Sequence, residues 1–93
     1  MLKYYEFKVA NCYLYFTSKC IIEAMHVHAN HDGKLREHGA AKFFVKGNGD
    51  TEKQKQGDLT DTESNAVQKF IKEHYLEMYE KWADYSKEGF YNK

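Results

Sequence analysis

The chain has 93 residues, of which 42% are hydrophobic and 16% aromatic, and its length predicts one domain that spans residues 1–93. A formal net charge of zero argues against strong general attraction to nucleic acid, which depends on an excess of Lys and Arg. The two cysteines match no metal or redox spacing, and no segment has the apolar length of a signal peptide or membrane span, so we expect a cytoplasmic protein with no membrane contact.

Two strands are predicted near the start of the chain, at about residues 4–9 and 12–17. Apolar side chains alternate with polar ones in the first, which is the period of a half-buried strand. In the second, Leu14 and Phe16 share one face, with tyrosines on the other. Ala10-Asn11 predicts the turn between them, because Asn tolerates a positive φ.

The third predicted strand, at about residues 25–30, carries the most distinctive polar segment of the chain. Residues two apart on a strand project from the same face, so His26 and His28 are expected side by side. Met25 and Val27 then point to the other face, which we assign to the core.

Two further segments complete the predicted sheet. The apolar run at about residues 40–46 is typical of a central strand. Gly47-Asn48-Gly49-Asp50 is the strongest turn signal of the chain. Residues 51–56 are polar on both faces and are interpreted either as an edge strand or as a loop.

A long helix is predicted at about residues 61–87. Thr60 and Glu63 have the spacing of a capping box, in which each residue caps the other. The apolar positions that follow are three and four residues apart and form one stripe: Val67, Phe70, Ile71, Tyr75, Met78, Trp82 and Tyr85. The predicted fold is therefore α+β, with a small antiparallel sheet of three to five strands covered by one long C-terminal helix.

His26 and His28, together with Lys42 on the neighbouring strand, form the candidate catalytic site. Imidazoles titrate near neutrality, so a pair can take one proton and donate another, as ribonucleolytic transesterification requires. Lys42, or Lys34 and Arg36 in the loop, would stabilise negative charge on the reacting phosphate. The alternative is that both imidazoles are partly exposed strand residues with hydrogen-bonded rings.

Metal binding is another interpretation of His26 and His28. Zinc, iron, nickel and copper all accept imidazole ligands, and His31 and Asp32 at the strand end would add two more donors. A metal site normally needs three or four protein ligands, however. We therefore assign no metal ligand and no cofactor, and interpret His31 and Asp32 as the start of a loop.

The aromatic residues near the end of the predicted helix form the candidate protein interface: Trp82, Tyr85, Phe90 and Tyr91. Tyr79, Tyr85, Phe90 and Tyr91 exceed what one helical stripe can bury, and Trp and Tyr are favoured at the centres of interfaces. The alternative for Trp82 is a place in the core. We expect a small protein partner, with a homodimer as an alternative, since chains near zero net charge associate readily.

Five segments, taken in order, resemble the domain-of-unknown-function family forty-one-sixty. They are Phe16-Thr17-Ser18, Met25-His26-Val27-His28, Ala41-Lys42-Phe43-Phe44, Phe70-Ile71-Lys72-Glu73-His74 and Glu80-Lys81-Trp82-Ala83-Asp84-Tyr85. The similarity covers most of the chain, from about Tyr13 to Tyr85. It implies that His26, His28 and Lys42 match the most distinctive polar positions of that small bacterial family.

The resemblance implies no reaction, because the family is biochemically uncharacterised. Its genes often lie beside a second small gene in pairs described as toxin–antitoxin-like, which implies a two-gene bacterial or mobile-element system. The chain departs from the family pattern in a longer loop at residues 32–39 and in Ala40, where relatives often have Glu. If that Glu takes part in chemistry in relatives, this chain is a binding module only.

The leading functional prediction is a small toxin-like protein that acts on RNA through His26, His28 and Lys42. The first alternative is a non-catalytic interaction module, such as an inhibitor, an antitoxin-like protein or an adaptor, that uses the aromatic helix end and the sheet face. The second alternative is a metal-binding protein that uses the two histidines.

Overall fold

The computed structural model of the protein describes residues 2–17, 20–32 and 39–92. Within these ranges the elements are β1 (Leu2–Lys3), β2 (Tyr13–Phe16), β3 (His26–Asn30), β4 (Ala41–Val45), β5 (Thr51–Lys55) and α1 (Asp61–Ala83). A short 3-10 turn, Cys20–Ile22, precedes β3. The predicted α+β class is confirmed, since five strands form one sheet and a single long helix follows them in the described part of the chain.

The strands lie in the sheet in their chain order, and every neighbouring pair is antiparallel. β5 decides the alternative left open at residues 51–56, because this segment is a strand that pairs with β4 at the edge of the sheet. Its lysines, Lys53 and Lys55, are exposed. Charged side chains on an edge strand oppose pairing with another chain.

The first strand differs from the prediction for residues 4–9. β1 contains only Leu2 and Lys3, and the chain leaves the sheet just after Tyr4 donates its backbone N–H to the Leu14 carbonyl at 2.9 Å. The Tyr4 ring is fully buried, and its hydroxyl donates to the His26 carbonyl at 2.9 Å. Burial of this ring turns the chain away from a strand path.

The residues after Tyr4 pack against the helix instead of extending the sheet. The Tyr5 ring stacks on Phe7 at 4.9 Å and meets the edge of Phe70 at 5.3 Å. The Tyr5 hydroxyl also hydrogen-bonds the Glu77 carboxylate. The alternation of apolar and polar residues at 4–9 thus comes from rings that pack on the core and on α1. In the sequence, this pattern looks the same as the period of a strand.

The turn predicted at Ala10 and Asn11 is confirmed. Both residues have positive φ angles, 52° and 64°. Val9 and Cys12 on either side exchange backbone hydrogen bonds of 2.7 and 2.9 Å. This tight turn leads the chain back into β2.

The capping box of α1 is also confirmed. The Glu63 backbone N–H donates to the Thr60 hydroxyl at 3.1 Å, and the Thr60 backbone N–H donates to the Glu63 carboxylate at 2.9 Å. The helix ends at Ala83, earlier than the predicted residue 87, because the chain then returns to the sheet. There Met25 donates its N–H to the Gly89 carbonyl at 2.9 Å.

The helix packs on one face of the sheet, which we call the covered face. The buried side chains of this face are Leu14, Phe16, Val27, Ala29, Ala41, Phe43 and Val45. From α1 they meet the fully buried side chains Val67, Ile71, Met78 and Trp82. Met25 and Val27 are fully buried, as predicted. In the described part of the chain, no helix combines the length and apolar character needed to cross a membrane.

Candidate functional site

The other face of the sheet, which we call the open face, carries most of the candidate site. Successive side chains of a strand point to opposite faces, so the residues between those of the covered face project here. By strand register they are Lys3, Tyr13, Tyr15, His26, His28, Asn30, Lys42, Phe44, Glu52 and Lys55. The face is thus built mainly from basic, aromatic and histidine side chains, with Asn30 and Glu52 as the other polar members.

One row of the open face crosses all five strands. Lys3 pairs with Tyr15, Tyr15 with His28, His28 with Lys42, and Lys42 with Lys55. Strands in a sheet are about 4.8 Å apart, so the row is roughly 19 Å long. The histidines lie on β3 and Lys42 lies on β4, and these strands are neighbours, as predicted. His28 is therefore directly beside Lys42.

The two candidate histidines lie next to each other but in different environments. Their ring centroids are 5.0 Å apart and the ring planes are nearly perpendicular. His26 is fully buried and meets the rings of Phe44 and Trp82, each at 5.5 Å. His28 is half-buried and stacks on Tyr15 at 5.5 Å. His28 is therefore the more accessible imidazole.

His26 has one bonded and one unbonded ring nitrogen. Its Nδ1 lies 2.9 Å from the Ala24 carbonyl oxygen, which fixes the hydrogen on Nδ1 as the donor. Its Nε2 is buried, without a hydrogen-bond partner among the described residues, and the Glu23 carboxylate is 3.8 Å away. An unbonded buried polar atom of this kind is uncommon, and here it points toward the acidic group of the site.

Glu23 is the member of this site that the sequence reasoning missed. Its carboxylate accepts a hydrogen bond of 3.1 Å from Lys42, whose side chain is only 12% exposed. Burial opposes ionisation of Glu23, but the hydrogen bond and charge of Lys42 hold the pKa of this carboxyl below its usual range. The position of Glu23 before β3 carried no signal, because nothing in the sequence pairs it with Lys42.

Both imidazoles are uncharged at neutral pH. Burial lowers the pKa of His26, although its hydrogen bond to the Ala24 carbonyl acts in the opposite direction. Burial also lowers the pKa of His28, to about 4, and the neighbouring His26 and Lys42 contribute to the decrease. Neutral imidazoles accept protons or bind metals, whereas a proton donor of the imidazolium type is absent from this pair at pH 7.

The predicted interface residues separate into buried and accessible members. Trp82 is fully buried, so the structure places it in the core and corrects its assignment to an interface surface. Phe90 and Tyr91 are half-buried, stacked on Tyr79 at 4.1 Å and on Phe44 at 4.3 Å. Tyr85 is 55% exposed. It lines a groove of about 540 Å³ together with Leu2, Lys3, Glu6, Phe16, Lys81 and Asp84.

A second polar cluster lies at the other end of β3, and sequence spacing did not indicate it. Cys12, His31 and Glu63 place a sulfur, a ring nitrogen and a carboxylate oxygen within 4.8 Å of one another. Among the described residues, three metal-capable side chains come together at this cluster. His26 and His28 do not belong to such a group. Burial raises the pKa of the Cys12 thiol to about 11, and the Glu63 charge adds to the increase.

Two predicted contributors lie outside the described residues. Lys34 and Arg36, proposed as phosphate-stabilising groups, fall in the range 33–38. Most of the longer loop that departs from the family pattern falls there too. Ala40, the other departure, is buried and directly precedes β4.

A family model described as Domain of unknown function (DUF4160) matches residues 11–83. The match begins just before β2 and ends with the last residue of α1, so it contains His26, His28 and Lys42 and leaves out β1. No curated protein and no solved structure matches the chain. Because the match covers more than half of the 93 residues, the chain belongs to the DUF4160 family.

Proposed function

We propose that the protein binds single-stranded RNA with the open face of its sheet, as one component of a small two-gene bacterial system. The observation that carries the proposal is the row of residues across the five strands, with lysines at both ends and Lys42 and His28 between them. A sheet face that offers positive charge and aromatic rings is a recurrent platform for unpaired nucleotides.

The charge of the open face supports phosphate binding although the whole chain is neutral. Lys3, Lys42 and Lys55 lie on this face, and Lys8 reaches it over the Tyr13 ring. The acidic groups nearby are Glu23, which pairs with Lys42, and Glu52. Lysines therefore outnumber acidic groups here, and the compensating acidic residues lie elsewhere, many of them along α1.

The aromatic residues of the open face pack against its lysines and against a neighbouring ring. Tyr13 lies beneath two ammonium groups, that of Lys3 at 4.4 Å from its centroid and that of Lys8 at 5.3 Å. Phe44 stacks on Tyr91, and the Lys42 ammonium lies 4.9 Å from the Phe44 centroid. These rings already contact neighbouring side chains, so we expect the lysines to make the main contacts with the RNA and binding to show little sequence preference.

The protonation states support binding more directly than cleavage. His28 is neutral and accessible, so it can accept a hydrogen bond or a proton from a ribose hydroxyl. His26 is neutral and fully buried, so it does not supply the proton that a leaving oxygen requires. The catalytic assignment of His26, His28 and Lys42 accordingly stays a prediction.

Fluorescence anisotropy with a labelled single-stranded RNA of about twelve nucleotides tests the proposal. We expect the double variant Lys3→Ala/Lys55→Ala to bind at least about tenfold more weakly than the parent, because it removes both ends of the row. The matched control is Lys69→Ala/Lys87→Ala, which removes the same charge from exposed positions on and after α1. Equal weakening in both double variants would contradict the proposal.

The same RNA, incubated with the protein and analysed on a denaturing gel, tests cleavage separately. Intact RNA with parent affinity would support a binding protein alone. Cleavage that His28→Gln abolishes, while anisotropy still reports binding, would support the catalytic prediction.

A small protein partner is the second candidate, and the exposed Tyr85 beside the groove at β1 favours it. We propose that the groove accepts an extended segment of that partner, since among the described residues the strand Leu2–Lys3 lies at the edge of the sheet and pairs on one side only. Coexpression with the product of the adjacent small gene tests this. Tyr85→Ala is expected to abolish a complex that Leu76→Ala, a similarly exposed residue on α1, retains. Failure of the two proteins to copurify would exclude this partner.

A further inference from the structure

Three side chains that are far apart in the sequence converge beside the first turn of α1. Cys12 precedes β2, His31 directly follows β3, and Glu63 is the third residue of the helix. Their donor atoms lie within 4.8 Å of one another, and His31 Nε2 is 3.1 Å from each Glu63 oxygen. We propose that this cluster is a binding site for a divalent transition-metal ion, with Zn²⁺ as the ion that fits its donors best.

The donor set selects the class of metal. Zn²⁺ accepts thiolate, imidazole and carboxylate ligands, whereas Mg²⁺ and Ca²⁺ prefer oxygen ligands throughout. Bonds of 2.0–2.3 Å in a tetrahedral site separate the donor atoms by about 3.5 Å. The present separations are 3.1 Å for His31 and Glu63 and up to 4.8 Å within the group. Small side-chain movements would bring the donor atoms from these positions to the tetrahedral geometry.

The helix cap leaves a donor of Glu63 available. One carboxylate oxygen, Oε1, accepts the Thr60 N–H at 2.9 Å. The other, Oε2, contacts His31 and is not engaged in the cap. A metal ion would replace the present contact between His31 and Glu63, and the capping box would remain intact.

A fourth ligand would come from solvent on the side of His31. A small cavity of about 40 Å³ is lined by Asn30, His31, Asp32, Gly39 and Asp58. It has room for one water molecule. Zinc sites with three protein ligands complete their coordination with water. Neither Cys12 nor Glu63 lines this cavity, so the water would come from the solvent that reaches the His31 side chain, which is 45% exposed.

The three ligands differ in exposure in a way that allows entry and retention. The His31 side chain is 45% exposed and that of Glu63 is 16% exposed, whereas Cys12 is fully buried. An ion can therefore enter from the His31 side and reach the sulfur at the inner end. The site is separate from the row of the open face, so it is independent of RNA binding.

Titration of the metal-free full chain with Co²⁺ tests the site. Thiolate coordination produces a charge-transfer absorption, and tetrahedral Co²⁺ produces visible bands, so we expect both to saturate at one equivalent and to disappear when Zn²⁺ is added. Absence of the charge-transfer absorption in the parent would overturn the proposal.

Paired variants locate the ion. His31→Ala is expected to weaken Co²⁺ binding by more than about 100-fold, since loss of even an outer-shell partner weakens sites 10–100-fold. His74→Ala removes an exposed imidazole from α1 and is expected to leave the spectrum unchanged. Retention of the parent spectrum by His31→Ala would overturn the proposal.

The two cysteines provide the second pair. Cys12→Ser is expected to remove the charge-transfer absorption and Cys20→Ser to retain it; the opposite pattern would overturn the proposal. His31→Ala keeps the test decisive if the buried Cys12→Ser substitution prevents folding, because His31 is exposed and its replacement leaves the core unchanged.

Discussion

The two faces of the sheet are built from the same strands but have opposite compositions. On β4, Ala41, Phe43 and Val45 are buried against the helix, while Lys42 and Phe44 between them are half-buried on the open face. The covered face contains apolar side chains that exclude water, and the open face contains ionisable groups and rings. The strand period thus separates an apolar face from a polar one. On the open face Tyr15, His26 and Asn30 are buried, and the lysines at its ends, Lys3 and Lys55, are exposed and available for binding.

This difference has a direct consequence for mutagenesis. Substitutions on the covered face should reduce the free energy of unfolding, because each leaves a cavity in a closely packed core. Substitutions of lysines on the open face should change affinity for a ligand and leave stability nearly unchanged. The largest losses of stability are therefore expected for residues packed between the covered face and α1.

Replacement of Trp82 by Ala should reduce the free energy of unfolding by about 3–5 kcal/mol. Trp82 is fully buried, packs against Phe16 and His26, and donates its indole N–H to the Glu88 carbonyl at 3.3 Å. Urea unfolding followed by circular dichroism measures the change. Tyr85→Ala, three residues further and 55% exposed, is the control and should cost less than about 1 kcal/mol. Similar losses in both variants would contradict the assignment of Trp82 to the core.

Replacement of Gly49 by Ala should cost about 1–3 kcal/mol. Gly49 has a φ of +88°, and an added Cβ would lie 2.5 Å from Tyr75 Cδ1, so the turn between β4 and β5 would have to move away from α1. Gly47→Ala is the matched control, because its Cβ would meet Phe90 at an ordinary 3.8 Å. A larger loss of stability for Gly47→Ala than for Gly49→Ala would contradict the close packing of Gly49 against Tyr75.

The histidines of the open face should make stability depend on pH. The pKa of His28 is lowered from 6.5 to about 4 in the folded protein, so the unfolded chain binds more protons between these values. The contribution of His28 to the free energy of unfolding is therefore fully present above about pH 6.5. It decreases as the pH falls toward 4, by at most about 1.4 kcal/mol per pH unit for one proton.

Urea unfolding of the parent and His28→Gln at several pH values measures this dependence. The difference between the two proteins removes the contribution of carboxyl groups that both contain. We expect a shallower slope for His28→Gln, and His74→Gln provides the control for loss of an imidazole from α1. Parallel curves for the parent and His28→Gln would contradict the burial of His28.

Replacement of Thr60 by Ala should reduce stability by about 1 kcal/mol. The substitution removes the hydroxyl that accepts the Glu63 N–H at 3.1 Å and so opens half of the capping box. Thr62→Ala, in the exposed first turn of α1, is the control. Thermal unfolding measures the difference in stability between the two variants. Equal stability of Thr60→Ala and Thr62→Ala would show that the cap contributes nothing.

Much of the fold was predictable because its signals are local. The period of two in β2 and β3, the glycine turn at residues 47–50 and the spacing of Thr60 and Glu63 each depend on residues close together in the chain. The first strand was not predictable, because Tyr4 and the rings after it pack in the core and on α1, and a sequence does not show which surface receives an aromatic side chain.

The candidate site was predictable in part for the same reason. The proximity of His26 and His28 follows from the strand period alone. The burial of His26 beneath Trp82 and the pairing of Lys42 with Glu23 depend on contacts between distant segments. The cluster of Cys12, His31 and Glu63 is of the same kind, since its members come from three separate elements and have no motif spacing.

The central claim is that the open face binds RNA phosphates through its lysines, and the salt dependence of binding tests it most directly. For single strands, the logarithm of the association constant falls with the logarithm of salt concentration by about 0.7 for each phosphate neutralised. We predict that Lys3→Ala/Lys55→Ala reduces this slope by about 1.4 relative to the parent, while Lys69→Ala/Lys87→Ala leaves it unchanged. Equal slopes for the parent and the Lys3→Ala/Lys55→Ala variant, or binding that does not depend on salt, would contradict the claim.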